Sequence, residues 1–334
     1  MLQRPPSALY GSGGGANSLS AKLQGLEAQL TTKKADLKAA VKAREYGTAS
    51  DMKKEIKRLE ALVPIEREAV RILVPMADAT TPEEQERWCT TMVDDLPADR
   101  NLSKIMGRLL EEGVCQGVVA VMLKHPEAAG VQLQACRAIN WITFRSGAED
   151  TRASLHALGA SQAVVSAMTR WGEDAVLLSA AAAALANLAY GSETRRRALC
   201  QLGAPEQIMR GMHAMASDVA FMTASLRAIR NLSYGSENVK TTLDELGVSE
   251  QVVSAIQLHP ANADLVTAAL WAMCNLTYGS EVRTSTLKQL GAMSAAKKVM
   301  RNHKSNSQLR SVGAYITKTG VQTKREVMVL SEAL

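Results

Sequence analysis

The sequence predicts an all-α protein, in which a helical hairpin precedes a series of repeated helical units. Three observations lead to this fold class. The 334 residues include only two Phe, six Tyr and four Trp although 46% are apolar, so the core must consist of Ala, Leu, Val and Met, as in closely stacked helices. A 44-residue period runs through the second half of the chain, and apolar residues near its start keep heptad spacing.

The repeat is most visible in three nearly identical segments. They begin at Asn187, Asn231 and Asn275, lie 44 residues apart, and share the pattern Asn-Leu-x-Tyr-Gly-Ser-Glu. A Leu-Gly pair ends sixteen residues after each asparagine, and the resulting glycine series is Gly159, Gly203, Gly247 and Gly291, with Gly113 opening an earlier unit. A fixed period over some 200 residues predicts a repeat architecture.

Each unit is predicted to contain three helices. The Ser-Glu pair after the Tyr-Gly turn supplies an N-cap and an acid that suits the helix dipole. A short helix then runs to the Leu-Gly pair, where we expect the glycine to adopt a left-handed cap. A second helix follows, for example 251–258, and then a longer third helix, for example 264–278. Because one unit cannot bury its apolar face alone, stacked units must share a core.

The third helices carry a motif of known type. Trp271-Ala-Met-Cys-Asn275-Leu276 has the pattern Trp-x-x-x-Asn-Leu at the end of a long helix. Together with the order of short helix, glycine, amphipathic helix and long helix, it resembles the armadillo family over residues 84–320. The resemblance implies a right-handed superhelix, an α-solenoid, of about five three-helix repeats. We therefore divide the chain into a linker (1–16), a helical hairpin (17–75) and an armadillo-type repeat domain (76–334).

Heptad spacing in the hairpin segment favours two antiparallel helices that pair as in a coiled coil and are joined near Tyr46. Residues 37–60 are similar to the UVR motif, a helical hairpin through which bacterial excision-repair proteins contact one another. The resemblance implies pairing with another helix, and it gives Tyr46, Met52, Ile56 and Leu59 as candidate contact residues. A second helical partner, self-association, or simple capping of the repeats are the alternatives.

Composition limits the function classes. Five scattered cysteines, without Cys-x-x-Cys spacing, predict reduced thiols in the cytoplasm or nucleus. The acid-free first 26 residues leave an organellar transit peptide as the alternative. No apolar stretch is long enough to span a membrane. Basic ends flank an acidic centre, an arrangement that does not favour a nucleic-acid binder.

The sequence contains no arrangement that is typical of an active site. Metal-ligand spacing such as His-Glu-x-x-His, a Ser/His/Asp order in a strand-turn context, and a glycine-rich nucleotide loop are all missing. We therefore expect a non-enzymatic protein without cofactor or metal.

The candidate binding residues form a stripe on the third helices. Counting back four and eight residues from each asparagine position gives residues that face one way. The first and last positions are polar in every unit, although the helices are otherwise apolar. The stripe contains Gln132, Cys136 and Asn140; Ser179, Ala183 and Asn187; Thr223, Arg227 and Asn231; Thr267, Trp271 and Asn275; and Ser311, Tyr315 and Thr319.

In armadillo proteins this stripe lines a concave groove, where asparagines bond the backbone of an extended peptide and tryptophans pack its side chains. The resemblance implies that Asn187, Asn231 and Asn275 bind backbone, and Asn140 is a further partner-binding residue of the stripe. The same resemblance gives Arg227, Trp271 and Tyr315 as residues that contact partner side chains, with Thr223 and Thr267 beside them. Helix-end hydrogen bonding for the asparagines, and core packing for Trp271, are the structural alternatives.

The predicted function is a scaffold or adaptor that binds an extended or helical segment of a partner protein in this groove. The alternatives are a transport adaptor for peptide cargo, as in nuclear import, and nucleic-acid association through the basic termini. The single tryptophan and Arg227 argue against a basic nuclear-localisation peptide. A partner segment with an acidic or polar residue near a large apolar one suits the stripe best.

Overall fold

The computed structural model describes residues 14–43, 46–96 and 101–319. Within these ranges the backbone forms eighteen α-helices and no strand. The helices are α1 (Gly14–Lys42), α2 (Tyr46–Asp78), α3 (Pro82–Asp94), α4 (Leu102–Glu111), α5 (Val114–Lys124), α6 (Ala129–Ser146), α7 (Glu149–Ala157), α8 (Ala160–Arg170), α9 (Ala175–Ala189), α10 (Glu193–Gln201), α11 (Ala204–Ala214), α12 (Val219–Ser233), α13 (Glu237–Glu245), α14 (Val248–Leu258), α15 (Ala263–Thr277), α16 (Glu281–Gln289), α17 (Ala292–Asn302) and α18 (Ser307–Thr319). The predicted all-α class is confirmed.

The chain separates into two compact units, residues Met1–Ala138 and Ile139–Leu334, with the boundary inside α6. The predicted linker, residues 1–16, lies almost entirely outside the described residues, and the predicted boundary at 75/76 falls within α2. None of the helices in the described ranges is both long enough and apolar enough to cross a membrane.

In the first unit, α1 and α2 lie side by side as an antiparallel hairpin. Ion pairs show this orientation, because the later residue of α1 meets the earlier residue of α2: Lys22 pairs with Glu66 at 2.9 Å and Lys34 pairs with Glu60 at 2.7 Å. The second helix continues to Asp78 and packs on α3 and α4. Its residues 69, 72 and 73 are at most 1% exposed, so this half of α2 belongs to the core of the first unit.

The second unit repeats the predicted three-helix pattern closely. First helices (α7, α10, α13, α16) have nine residues, second helices (α8, α11, α14, α17) have eleven, and third helices α9, α12 and α15 have fifteen. First helices begin 44 residues apart, at Glu149, Glu193, Glu237 and Glu281. The period seen in the sequence is therefore the length of one structural repeat.

Local sequence signals explain where these helices begin and end. The glycine series joins each first helix to the second with a left-handed backbone, for example φ 84° at Gly203, which a residue with a Cβ adopts only at a cost. Ser192 and Ser280 accept N-cap hydrogen bonds as predicted, whereas Ser236 does not. Third helices begin after Asp174, Asp218 or Asn262, whose side chains also accept N-cap hydrogen bonds.

The core of the second unit is formed mainly by the third helices. Helix α9 packs on α12, α12 on α15 and α15 on α18, so these four helices form one continuous layer, which we call the third-helix layer. Small side chains allow this close approach: Ala181, Ala182 and Ala184 of α9 are fully buried. The predicted sharing of a core between stacked units is thus confirmed for residues 139–319.

Candidate functional site

The asparagines of the third-helix layer form a hydrogen-bonded ladder. The Asn231 side-chain amide donates to the main-chain carbonyl of Ala186 at 2.7 Å, and Asn275 donates in the same way to Arg230 at 2.7 Å. Asn187 donates to the carbonyl and to the side-chain oxygen of Asn140, at 3.2 and 2.9 Å. Each amide therefore ties one third helix to the preceding one in the second unit.

The ladder uses only part of each amide. The Oδ1 atoms of Asn187, Asn231 and Asn275 have no partner among the described residues, and none of them is among the buried unpaired polar atoms. An amide offers one acceptor oxygen besides its two donor hydrogens. These oxygens thus reach the surface and can accept a hydrogen bond from a bound chain.

In three units the first column of the stripe is a hydroxyl residue that bonds to its own helix. Ser179, Thr223 and Thr267 each donate to the carbonyl four residues earlier, at 2.7, 2.7 and 2.6 Å. Thr267 is 9% exposed, and Ser179 and Thr223 are half-buried. These bonds fix the side-chain rotamers and point to a supporting role beside the asparagines.

The middle column differs from unit to unit, as the sequence indicated. Ala183 and Tyr315 are half-buried, Arg227 is exposed, and Trp271 is only 2% exposed. Trp271 thus lies in the packed layer, and almost none of its side chain is open to a partner. Arg227 forms no hydrogen bond or ion pair with any described residue, and its charge is free for a ligand.

Part of the predicted stripe lies outside the second unit or outside the described side chains. Gln132 and Cys136 belong to the first unit, where both are buried; the Gln132 amide donates to the carbonyls of Met122 and His125, at 2.9 Å each. The side chain of Thr319 is not among the described residues. The stripe is therefore considered below from Asn140 to Tyr315.

The structure adds one residue to the stripe that the sequence pattern did not single out. The guanidinium of Arg230 lies over the indole of Trp271, with its Cζ 4.7 Å from the ring centroid. Burial lowers the pKa of Arg230, although an arginine remains charged at neutral pH. Arg230 was missed because it precedes the asparagine, at a position that the four-residue steps of the stripe skip.

A second set of missed residues lies under the tyrosine turns. Arg152 covers the ring of Tyr190 at 5.2 Å and Lys240 covers that of Tyr278 at 5.4 Å; Arg196 and Tyr234 form the intermediate pair at 5.6 Å. The cations are 44 residues apart, and each lies 38 residues before its ring. This period could have revealed them. The contacts are cation–π pairs that join successive repeats.

Buried arginines of the first helices also join repeats through carboxylates. Arg195, 3% exposed, bonds both oxygens of Glu149 one unit earlier, at 2.5 and 2.9 Å. Arg283 contacts Asp244 and Glu237 in the same manner, both at 2.5 Å. The Arg195 guanidinium, by its hydrogen bonds, lowers the pKa of Glu149. These pairs lie on the first helices and not on the third-helix layer.

The predicted contact residues of the hairpin that the structure describes are buried or half-buried in the first unit. Ile56 and Leu59 are 7% and 3% exposed, and Met52 is half-buried. The side chain of Tyr46 lies outside the described residues. A partner helix would therefore meet little of these side chains, and the UVR-like pairing stays a prediction.

The described residues contain no group of three or more His, Cys, Asp or Glu side chains that could hold a metal ion. The five cysteines are all described and all free; only Cys200 is partly exposed. Burial raises the pKa of the Cys115 thiol to about 11 and that of Cys136 to about 12. These thiols stay neutral at physiological pH and are core residues.

Comparison with known proteins agrees with this architecture. No protein-family model matches the sequence, and no curated protein matches it significantly. Among solved structures, a designed armadillo repeat protein is similar with a TM-score of 0.61 at 19% identity, over 74% of this chain and 98% of that one. Another, in complex with the peptide (KR)4, gives 0.58 at 19% identity, over 74% and 96%.

A third similar structure is a computationally designed armadillo repeat protein for modular peptide recognition. Its TM-score is 0.59 at 19% identity, over 75% of this chain and 99% of that one. At this level of identity the likeness concerns the fold. Together with the helix pattern of the described residues, it shows that this protein has an armadillo-type helical repeat fold.

Proposed function

We propose that the protein is a non-catalytic scaffold or adaptor, and that its third-helix layer binds an extended segment of a partner protein. The asparagine ladder is the observation that carries the proposal. Each asparagine amide of the ladder is oriented by a hydrogen bond to the neighbouring helix and keeps an acceptor oxygen at the surface. Acceptors that recur with the structural repeat suit a ligand that itself repeats, as the backbone N–H groups of an extended peptide do.

The fold comparison supports a peptide ligand in general. One similar structure is a designed repeat protein bound to the peptide (KR)4, and another was designed for modular peptide recognition. The present chain differs in the middle of its layer, where Arg227 is exposed and unpaired among the described residues. A basic peptide such as (KR)4 would be repelled there, which argues against a nuclear-import-like role with basic cargo.

For the hairpin we propose a capping role in the first unit. Ile72 and Leu73 of α2 are buried, α2 packs on α3 and α4, and Glu66 forms an ion pair with Arg108 of α4 at 3.0 Å. A terminal helical pair that covers the open end of a repeat series is a common requirement of solenoids. Self-association and binding of a second helical partner through the hairpin are the alternatives.

Site-specific photocrosslinking tests the proposed binding layer. Peptides selected from a random display library would be mixed with protein that carries a photoreactive phenylalanine at Ser311 or Ala183 of the third-helix layer. Matched controls carry it at the exposed Ser166 of α8 or Gln257 of α14. We expect crosslinks from the layer positions only. Crosslinks confined to Ser166 or Gln257 would place the binding surface on the second helices and refute the proposal.

A further inference from the structure

Arg230 interrupts a column of the layer that is apolar in the other units that contain the asparagine. The residue before the asparagine is Ile139, Ala186 and Cys274 in the other three units, with exposures of 0%, 4% and 2%. Among these four units only the one with Asn231 places a charge there; in the last unit, where Thr319 takes the place of the asparagine, Lys318 precedes it. Arg230 is half-buried, and a charge that is partly removed from water at a core position requires compensation.

The protein does not supply that compensation through the described residues. Arg230 has no ion pair and no side-chain hydrogen bond; its guanidinium contacts the ring of Trp271 and has Tyr190, Cys274 and Arg227 as charged or polar neighbours. None of its nitrogens is among the buried unpaired atoms. Its donors therefore reach the surface while they lack an acceptor.

Other buried cations of the second unit behave differently. Arg195 and Arg283 bond carboxylates at 2.5 Å, and Arg152 lies 3.4 Å from Glu149. Lys240 has Glu237 within 4 Å, and Arg196 bonds the carbonyl of Ala189. Arg230 is thus an exception among the buried cations of the second compact unit, because the others have oxygen partners.

The charge distribution around Arg230 lacks acids. Helices α9 and α12 contain no Asp or Glu, and α15 contains only Asp264, in its first turn. Arg227 lies one turn before Arg230 on α12 and is exposed, also without a partner among the described residues. Two adjacent arginines therefore lie on a third helix without acids, next to third helices that contain only Asp264, although residues 76–287 as a whole carry more acids than bases.

We propose that Arg227 and Arg230 form a carboxylate-binding site, and that the partner segment carries an Asp or Glu at this point; the inference rests on the proposed function of the third-helix layer. Guanidinium groups bind carboxylates through paired, charge-assisted hydrogen bonds. Trp271 holds Arg230 in place by the stacked contact.

A peptide carboxylate fits this site better than a nucleic acid does. The uncompensated charges are two neighbouring side chains, and the middle column on either side consists of Ala183 and Trp271. A nucleic acid would need a series of cations that follows its phosphates. The layer provides no such series between α9 and α15.

The test compares labelled octapeptides on the full-length protein by fluorescence anisotropy. The probes are an alternating Asp-Glu peptide, its uncharged Asn-Gln counterpart, an alternating Lys-Arg peptide and an oligothymidylate of eight nucleotides. Variants are Arg227→Gln and Arg230→Gln, with Arg301→Gln, an exposed arginine of α17, as matched control. Melting curves verify that each variant is folded, and Arg227→Gln, at an exposed position, remains informative if Arg230→Gln unfolds.

We expect the Asp-Glu peptide to bind at least 10-fold more tightly than the Asn-Gln peptide, and this preference to fall about 10-fold in each site variant, as for a charge-assisted hydrogen bond. Arg301→Gln should leave it unchanged. The carboxylate site is overturned if the Asp-Glu and Asn-Gln peptides bind the wild-type protein with equal affinity. It is also overturned if the Asp-Glu peptide binds all variants with the same affinity. Tighter, Arg227-dependent binding of the oligonucleotide overturns it as well.

Photocrosslinking of the same peptides separates this inference from the proposed function. If the Asn-Gln or Lys-Arg peptide crosslinks to Ser311 and Ala183 as strongly as the Asp-Glu peptide, the layer binds peptides without acid preference, and only the inference fails. If the Asp-Glu peptide crosslinks to Ser166 or Gln257 instead, or no peptide binds, both fail.

Discussion

The side-chain amide of Asn275 donates a 2.7 Å hydrogen bond to the main-chain carbonyl of Arg230, one repeat earlier. The same asparagine is 6% exposed, so this bond lies in the packed layer between α12 and α15. The amide therefore has a structural function before any partner binds. Affinity and stability must be measured together when such a residue is replaced.

We predict that Asn275→Ala lowers the free energy of unfolding by about 1–2 kcal/mol, because the Arg230 carbonyl loses its extra donor and the buried amide leaves a small cavity. Asn238→Ala, at an exposed position of α13, serves as control and should change it by less than about 0.5 kcal/mol. Urea denaturation measures both. Equal midpoints for the two variants would show that the ladder does not stabilise the fold.

We expect Trp271 to contribute more to the free energy of unfolding than a residue on an open binding surface would. Because the ring is 2% exposed, Trp271→Ala should cost about 3–5 kcal/mol of unfolding free energy. Trp271→Phe, which keeps most of the apolar volume, should cost about 1.5 kcal/mol or less. Thermal and urea unfolding distinguish these values. A small loss for the Ala variant would mean that the ring does not support the layer.

If the hairpin caps the first unit, replacement of Glu66 should lower the stability of that unit. This carboxylate is 2% exposed and pairs with Arg108 at 3.0 Å and Lys22 at 2.9 Å. Glu66→Ala removes the buried carboxylate from Arg108, which keeps Glu111 and Glu112 as partners, and should destabilise the first unit by about 2 kcal/mol. Lys22→Ala, whose side chain is 48% exposed, should cost under about 1 kcal/mol. Similar small losses in both variants would argue that the hairpin is separable from the repeats.

The Glu149–Arg195 pair predicts acid sensitivity. The hydrogen bonds from Arg195 lower the pKa of Glu149 below its ordinary value of 4.5, so the pair stabilises the fold above that pH and is lost as the pH falls through the lowered value. Glu149→Gln should therefore melt earlier than wild type at pH 6, with the difference vanishing in strong acid. Because Glu149 is 49% exposed, solvent screening keeps the difference small.

Glu281→Gln is the matched control for this experiment. Glu281 begins α16 as Glu149 begins α7, but it has no ion pair among the described residues. We expect its melting curve to follow wild type from pH 6 downward. A Glu281 variant that loses as much stability as Glu149→Gln would assign the effect to the helix dipole instead of Arg195.

Cysteine reactivity tests the packing of both units. Cys200 is partly exposed, whereas Cys89, Cys115, Cys136 and Cys274 are at most 4% exposed. At pH 8 an alkylating reagent should therefore label one thiol per native chain and five in denaturant, with Cys200→Ser abolishing the native reaction. Mass spectrometry identifies the site. Rapid native labelling of Cys136 or Cys274 would contradict the described core.

The architecture of the repeats could be predicted from local sequence signals. The period of 44 residues equals the spacing of first helices from Glu149 to Glu281, and the positions of the left-handed glycines, such as Gly203 and Gly247, were predicted to the residue. These features depend on local chemistry. A tight turn needs a residue without Cβ, and a helix start needs a side-chain acceptor, wherever the rest of the chain lies.

The accessibility of the stripe residues depends on how the helices pack, and it could not be predicted from the sequence. Trp271 and Arg227 occupy the same position in neighbouring repeats, yet one is buried and the other exposed. Likewise, the sequence does not show that Arg195 meets Glu149 while Arg230 meets no carboxylate among the described residues. Burial and charge compensation depend on which side chains an adjacent helix, some 40 residues away, brings into contact, and that is fixed by packing rather than by local pattern.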